Sequence, residues 1–280
     1  MFGRARGEYP VGIDIGARGV GVVRLQTALS HGTQQVRVAA TGWAPCSVHL
    51  DSQLRIHNLA EVRAAISLAL AQAQVNKHAG AVLGLPTTIA RAVRIRLPPM
   101  PDHEVAKAAL FEAAAAVDFP VQQCQLKNLI RAGSGWVAEI VRAPAVRSRQ
   151  ELVERAMPGL KVKAVDYESA AWQRALPGLA GIYDARGAVR ELIIFAPPAD
   201  HIFHATPDQV GDVLVEQHMQ LRKTGFDAPL VAMAGAERDL PMTTDVRIVR
   251  LAAALADERA RDTLLAYGLA QWSLCAENAA

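Results

Sequence analysis

One carboxylate stands inside an apolar segment near the start of the chain, and a glycine turn follows it. The stretch reads Val11-Gly12-Ile13-Asp14-Ile15-Gly16-Ala17-Arg18-Gly19-Val20. A buried, ionised carboxylate is costly unless a donor, a cation or a metal-bound water meets it. Gly16 and Gly19 would let the backbone turn tightly and bring its amides close to an anion. The types and spacing of these residues therefore predict nucleotide binding, with the alternative that Asp14 only caps the amides of its own turn.

The second half of the chain repeats this pattern. Asp184 ends an apolar segment, Gly187 follows it, and apolar segments near 189–196 and 201–205 come next. We interpret the two Asp-centred hairpins as an internal duplication.

The elements around the first turn argue against a dinucleotide-binding fold. Three short apolar segments separated by turns predict a β-meander, so the glycines join two strands, whereas a dinucleotide fingerprint opens a helix. A helix predicted from residue 59 to about 74, with Asn58 and Glu61 as a capping box, leads to a buried strand at 81–86. A second capping box, Ser148 with Glu151, predicts a helix that ends near residue 158.

Composition limits the class of protein. The chain has 280 residues, 51% of them hydrophobic and 20% charged, with a formal net charge of +3. This length favours two lobes. The basic residues are scattered, which argues against nucleic-acid binding. We expect no leader and no membrane span, and hence a cytoplasmic protein, because no apolar run approaches the roughly 18 residues that a span requires.

The order of several short motifs resembles the PilM-like family, the FtsA-like members of the actin-like ATPase superfamily. The matching residues, spread along nearly the whole chain, are Gly12-Ile13-Asp14-Ile15-Gly16, Leu97-Pro98, Glu112 with Phe119-Pro120, Val165-Asp166-Tyr167-Glu168-Ser169-Ala170, Asp184 with Gly187, Ala234-Gly235, and Tyr267-Gly268-Leu269-Ala270.

The resemblance implies an α/β fold with two duplicated actin-like (ribonuclease H-like) lobes, each a β-meander sheet with helices. We expect the first lobe core at residues 1–86, an inserted FtsA-like subdomain at 87–165, and a shortened second lobe at 166–280.

The resemblance also implies a partner. PilM-like proteins bind the short N-terminal cytoplasmic tail of the membrane protein PilN in a groove between the first lobe and the inserted subdomain. Ile95, Leu97 and Phe111 are the candidate lining residues here. The alternative is that they belong to the subdomain core, as periodic apolar residues usually do.

The nucleotide residues implied by the resemblance depart from the family pattern. The first turn lacks the small hydroxyl residues and the later lysine of the family, although Arg18 is a candidate phosphate cation. In the second turn the glycine is displaced by one position, to Gly187. Where the family has two glycines this chain has only Gly235, and Glu237 is the candidate for contact with a ribose hydroxyl. Asp14 would hold magnesium through water if nucleotide binds. The subdomain that covers the nucleotide in the family is missing between Asp184 and Gly235, so hydrolysis would be poorly supported.

Three functions follow from the resemblance. The first is a cytoplasmic adaptor of type IV pilus assembly, held at the inner membrane through a PilN-like partner, with a degraded nucleotide site and no required cofactor. The second is a slow ATPase that uses ATP and magnesium. The third is the related adaptor of type II secretion, which is disfavoured because that homologue usually continues into a membrane span. Self-association stays open.

Overall fold

The computed structural model describes residues 9–30, 33–177, 181–184, 190–194, 201–205, 230–232, 248–250 and 258–272. The strands within these ranges are β1 (Val11–Ile15), β2 (Gly19–Ser30), β3 (Thr33–Pro45), β4 (Gly80–Leu85), β5 (Ala90–Ile95), β6 (Cys124–Ala132), β7 (Gly135–Arg142), β8 (Lys161–Tyr167), β9 (Gly181–Asp184), β10 (Arg190–Ile194), β11 (His201–Ala205), β12 (Leu230–Ala232) and β13 (Ile248–Arg250). The helices are α1 (Leu59–Gln72), α2 (Asp102–Ala116), α3 (Ala143–Ala156), α4 (Glu168–Ala175) and α5 (Glu258–Ala270). None of these helices is long and apolar enough to cross a membrane.

The first sheet has five strands in the order β3-β2-β1-β4-β8. The predicted meander forms its antiparallel half, β1 to β3. β4 runs parallel to β1, and β8 runs parallel to β4. A helix precedes each of these two strands and brings the chain back to the end of the sheet at which β1 starts.

The two faces of this sheet are covered by different helices. Ile13 of β1 is fully buried in a cluster with Ile66 of α1 and Val153 of α3. Burial of a side chain of this size stabilises the fold by about 1.5–3 kcal/mol. On the other face, Val23 and Leu25 pack against α5. The sheet core is therefore completed by a helix that comes from the far end of the chain.

A smaller antiparallel sheet lies between β4 and α3 in the sequence. Its order is β5-β7-β6, and α2 packs against it. Ile95 is only 6% exposed and shares a buried cluster with Ala109 and Ala113 of α2.

The second five-stranded sheet repeats the topology of the first. Its order is β11-β10-β9-β12-β13, with β9 to β11 antiparallel and β12 and β13 parallel to β9. In this register Asp184 at the end of β9 pairs with Glu191 of β10, as Asp14 pairs with Gly21 in the first sheet. The two Asp-centred hairpins therefore occupy equivalent places in two like sheets.

The compact units of the chain differ from the predicted boundaries. One unit contains Met1–Pro86, Pro144–Ala175 and Glu258–Ala280, and the other contains Thr87–Ala143 and Leu176–Asp257. The predicted insertion at 87–165 therefore ends near residue 143, since α3 and β8 complete the first sheet and its core. The predicted second lobe at 166–280 likewise loses α4 and α5 to the first unit.

Both predicted capping boxes are wrong. The Asn58 side chain makes no capping hydrogen bond to α1, because its Oδ1 accepts from the His49 backbone and its Nδ2 donates to Glu61 at 2.7 Å. Ser148 lies inside α3, which begins at Ala143. α3 begins directly after Arg142, the last residue of β7, so no Ser, Thr, Asp or Asn precedes it to mark its start in the sequence.

Candidate functional site

The turn after β1 is held by backbone hydrogen bonds. The Gly16 amide donates to the Gly19 carbonyl at 3.0 Å. The carbonyls of Ala17 and Arg18 accept from the amides of Val48 and Cys46, at 3.3 and 3.0 Å. The Gly16 amide is thus used within the turn and is not directed at a ligand.

Protein packing explains Gly19. A Cβ atom at position 19 would lie 2.7 Å from the Ala44 carbonyl oxygen and 3.0 Å from Nε1 of Trp43, closer than side-chain atoms approach one another. Packing against β3 is therefore sufficient to explain the glycine at position 19.

Asp14 is buried at the end of β1, with 6% of its surface exposed. Its Oδ2 faces the turn, 3.4 Å from where a Cβ of residue 16 would stand, and its Oδ1 lies beside Gly84 of β4. The carboxylate takes part in further contacts within the protein. The sequence predicted Asp14 within a buried strand that precedes the glycine turn, and β1 places it there.

A buried arginine supplies a counter-charge to Asp14. Arg149 of α3 is 1% exposed and donates through Nη1 to the Leu54 carbonyl at 3.0 Å. Burial lowers the pKa of Arg149 to about 10, and the charge of Asp14 acts in the opposite direction. At neutral pH the guanidinium keeps its proton, so a fixed positive charge inside the protein acts on the carboxylate.

Sequence reasoning missed Arg149. The available signal is its place in α3, where the buried positions recur at helical spacing as Ala145, Val146, Arg149, Leu152 and Val153. An arginine on an apolar stripe must find an acceptor or an opposite charge.

The remaining predicted nucleotide residues are only partly described. Asp184 ends β9, and Gly187, Gly235 and Glu237 lie outside the described residues. In the part of the chain that the structure describes, no three His, Cys, Asp or Glu side chains group as a metal site would require. The charge of Asp14 acts on Arg149, and Trp43 packs against Gly19 in the turn.

The residues predicted to bind a partner fall into two environments. Ile95 is buried, and Leu97 is a partly buried member of the same cluster beneath α2. Phe111 is 50% exposed, on the outer side of α2. Phe111 alone of these three presents a large apolar surface to a ligand.

Two family-like motifs meet at a buried ion pair. Arg174 of α4 contacts the Asp166 carboxylate of β8, and its Nε donates to the Gly268 carbonyl of α5 at 2.9 Å. Burial raises the pKa of Asp166, and Arg174 together with the Tyr167 amide opposes that rise. These motifs join β8, α4 and α5 and have a structural role here.

The chain has two five-stranded sheets with the same strand order, and a small sheet is inserted after β4 of the first. This arrangement defines the actin-like (ribonuclease H-like) fold. The fold predicted from the sequence is confirmed.

Two of the solved structures similar to this chain come from pilus and secretion machines. A chain of the PilM-PilN type IV pilus biogenesis complex matches with a TM-score of 0.67 and 16% identity, over 96% of this chain and 99% of that chain. The cytoplasmic domain of EpsL, an inner-membrane component of the type II secretion system of Vibrio cholerae, matches with a TM-score of 0.58 and 10% identity, over 95% and 94%. No protein-family model and no curated protein sequence matches. The resemblance to PilM-like proteins is confirmed at the level of the fold.

Proposed function

We propose that this protein is an adaptor in the inner-membrane platform of a type IV pilus, where it binds the N-terminal cytoplasmic tail of a PilN-like membrane protein. The observation that supports this most strongly is the match to the PilM-PilN complex, which extends over 96% of the chain. The protein would act on the cytoplasmic side and reach the membrane through its partner.

The small sheet of β5, β7 and β6, together with α2, offers two features that suit an extended tail. β5 and β6 are the edge strands of its sheet, and an added strand can pair with such an edge through main-chain hydrogen bonds. Phe111 on α2 adds an exposed aromatic side chain. Exposed aromatic residues are frequent anchors of binding energy in protein interfaces.

Substitution of Phe111 by glutamate tests this proposal. A peptide of the PilN-like tail from the same organism should bind the full chain, and F111E should weaken binding by about tenfold or more, because a charge replaces an apolar contact. Fluorescence anisotropy of the labelled peptide measures this.

The matched control is Leu68→Glu on α1, since Leu68 is 51% exposed and also apolar. L68E should bind as the unchanged protein does, and both variants should keep its thermal midpoint. If the peptide does not bind the unchanged protein, the proposed function is overturned. If it binds F111E as well as it binds the unchanged protein, α2 has no role in tail binding.

We infer further that the nucleotide site of the fold is degraded and that the adaptor role needs no ATP. Support comes from the Asp14–Arg149 arrangement and from Trp43 beside Gly19. Calorimetry with ATP and magnesium, from micromolar to millimolar ligand, should give no saturable heat.

The slow ATPase is the alternative, and one result would establish it. That result is a clear isotherm that Asp14→Asn weakens and Asp118→Asn does not. Asp118 is exposed and has φ +55°, a conformation that asparagine also adopts, so the control removes one carboxylate without strain.

The match to the EpsL cytoplasmic domain keeps a type II secretion adaptor as a second candidate. The higher TM-score of the pilus complex favours the first. Tail peptides from the two kinds of partner, measured side by side, separate the candidates by their relative affinity.

A further inference from the structure

A cleft of about 720 Å³ opens in the first unit between α1, α3 and the loop that precedes α1. Ligand pockets in proteins range from about 300 to 1,000 Å³, so this cleft is large enough for several side chains of a bound peptide. Its lining lies away from Asp14: that residue and the glycine turn are not part of it.

Arginines dominate the lining. Arg55, Arg63, Arg147 and Arg155 contribute to it, against the carboxylates of Asp51 and Glu151. Arg55 is paired with Asp51 at 2.7 Å, and Arg155 with Glu151 at 3.2 Å.

Two of the four arginines have no such partner. Arg63 and Arg147 are exposed, and within the described residues neither takes part in an ion pair or a side-chain hydrogen bond. They come from different helices, α1 and α3, and face one cleft. The cleft therefore presents two uncompensated guanidinium groups at separate points.

The same cleft has apolar surface. Ile56 and Leu152 are nearly buried and form a packed base, and Leu59 is 45% exposed at its side. A ligand that carries only charged groups would leave this apolar surface in contact with water, so a ligand with an apolar group fits the cleft better.

We propose that this cleft binds an acidic segment of a partner protein, with carboxylates on Arg63 and Arg147 and an apolar side chain against Leu59. Arginine binds carboxylates through two parallel hydrogen bonds, and two separated arginines select two separated carboxylates. Asp51 and Glu151 also line the cleft and repel any anion that comes close to them, so a ligand with two separated charges fits the lining better than a dense row of phosphates. This spacing favours a peptide over a lipid surface or a nucleic acid. This site is independent of the tail-binding surface at Phe111.

The probe is a fluorescein-labelled octapeptide of alternating glutamate and leucine, measured with the full chain at low salt. The unchanged protein should bind it, and an octapeptide with glutamine in place of glutamate should bind at least about tenfold more weakly. Raising the salt should weaken binding further, because exposed charges are screened.

The double variant Arg63→Gln and Arg147→Gln should lower the affinity by about tenfold or more. Its matched control is Arg94→Gln with Arg96→Gln, which removes the same charge from two exposed arginines that do not line the cleft. All four positions are exposed, and we expect unchanged thermal midpoints.

Two results would overturn the proposal. In the first, both double variants lose affinity equally, which indicates attraction by net charge alone. In the second, vesicles of phosphatidylglycerol bind in a manner that depends on Arg63 and Arg147 while the acidic peptide does not, which indicates a lipid site.

Discussion

Substitution of Gly12 by alanine is expected to destabilise the first unit by more than about 3 kcal/mol. A Cβ atom at position 12 would lie 1.9 Å from the Ala266 carbonyl oxygen and 2.6 Å from the Ala270 amide nitrogen. Both are backbone atoms of α5, so no side chain can move aside and the helix must leave the sheet. We expect circular dichroism to show a thermal midpoint that is lower by roughly 10 °C. A variant that is recovered only as aggregate would agree with the same expectation.

The control lies four residues away in the same motif. A Cβ atom at position 16 has the Asp14 carboxylate as its nearest neighbour, at 3.4 Å, which is ordinary contact. Gly16→Ala should therefore change stability by less than about 1 kcal/mol. An unchanged midpoint for G12A would mean that α5 does not pack on β1.

Substitution of Arg149 by methionine is expected to cost about 3–5 kcal/mol, the usual effect of removing one partner of a buried charge pair. Methionine replaces the aliphatic part of the Arg149 side chain, so the loss reports mainly the guanidinium group with its charge and its hydrogen bond to the Leu54 carbonyl. Arg63→Met, at an exposed position of the same unit, should change the free energy of unfolding by less than about 0.5 kcal/mol.

A double-mutant cycle with Asp14→Asn tests whether Arg149 acts on that carboxylate. If the two charges compensate each other, the double variant should be more stable than the sum of the single losses by about 1 kcal/mol or more. Additive losses would mean that the two residues are not energetically coupled. The counter-charge of Asp14 would then have to come from another residue. Chemical unfolding of the four proteins gives the required free energies.

Local patterns predicted the β-meander and the position of Asp14 well. Both depend on alternating apolar residues and on turns, which are properties of neighbouring residues. The equivalence of the Asp14 and Asp184 hairpins followed from the same pattern, and the paired registers agree with it.

Long-range contacts were outside the reach of the same patterns. The glycines of the first turn looked like a phosphate cradle because their neighbours, Trp43 and Ala44, are distant in sequence. Arg149 could not be connected with Asp14, and the boundary at residue 165 missed the return of β8 to the first sheet, for the same reason.

The packing of α5 has a consequence for synthesis of the protein on the ribosome. Gly12 and the strands around it are made first, whereas the helix that covers them, with Ala266 and Ala270, emerges near the end of the chain. Until then Val23 and Leu25 lack the contacts that α5 makes with them. The inserted sheet and its helix α2 consist of contacts between residues close in sequence, so they can form earlier. The first unit would then be the last to close, and the interval before α5 arrives is when the nascent chain is most exposed to aggregation.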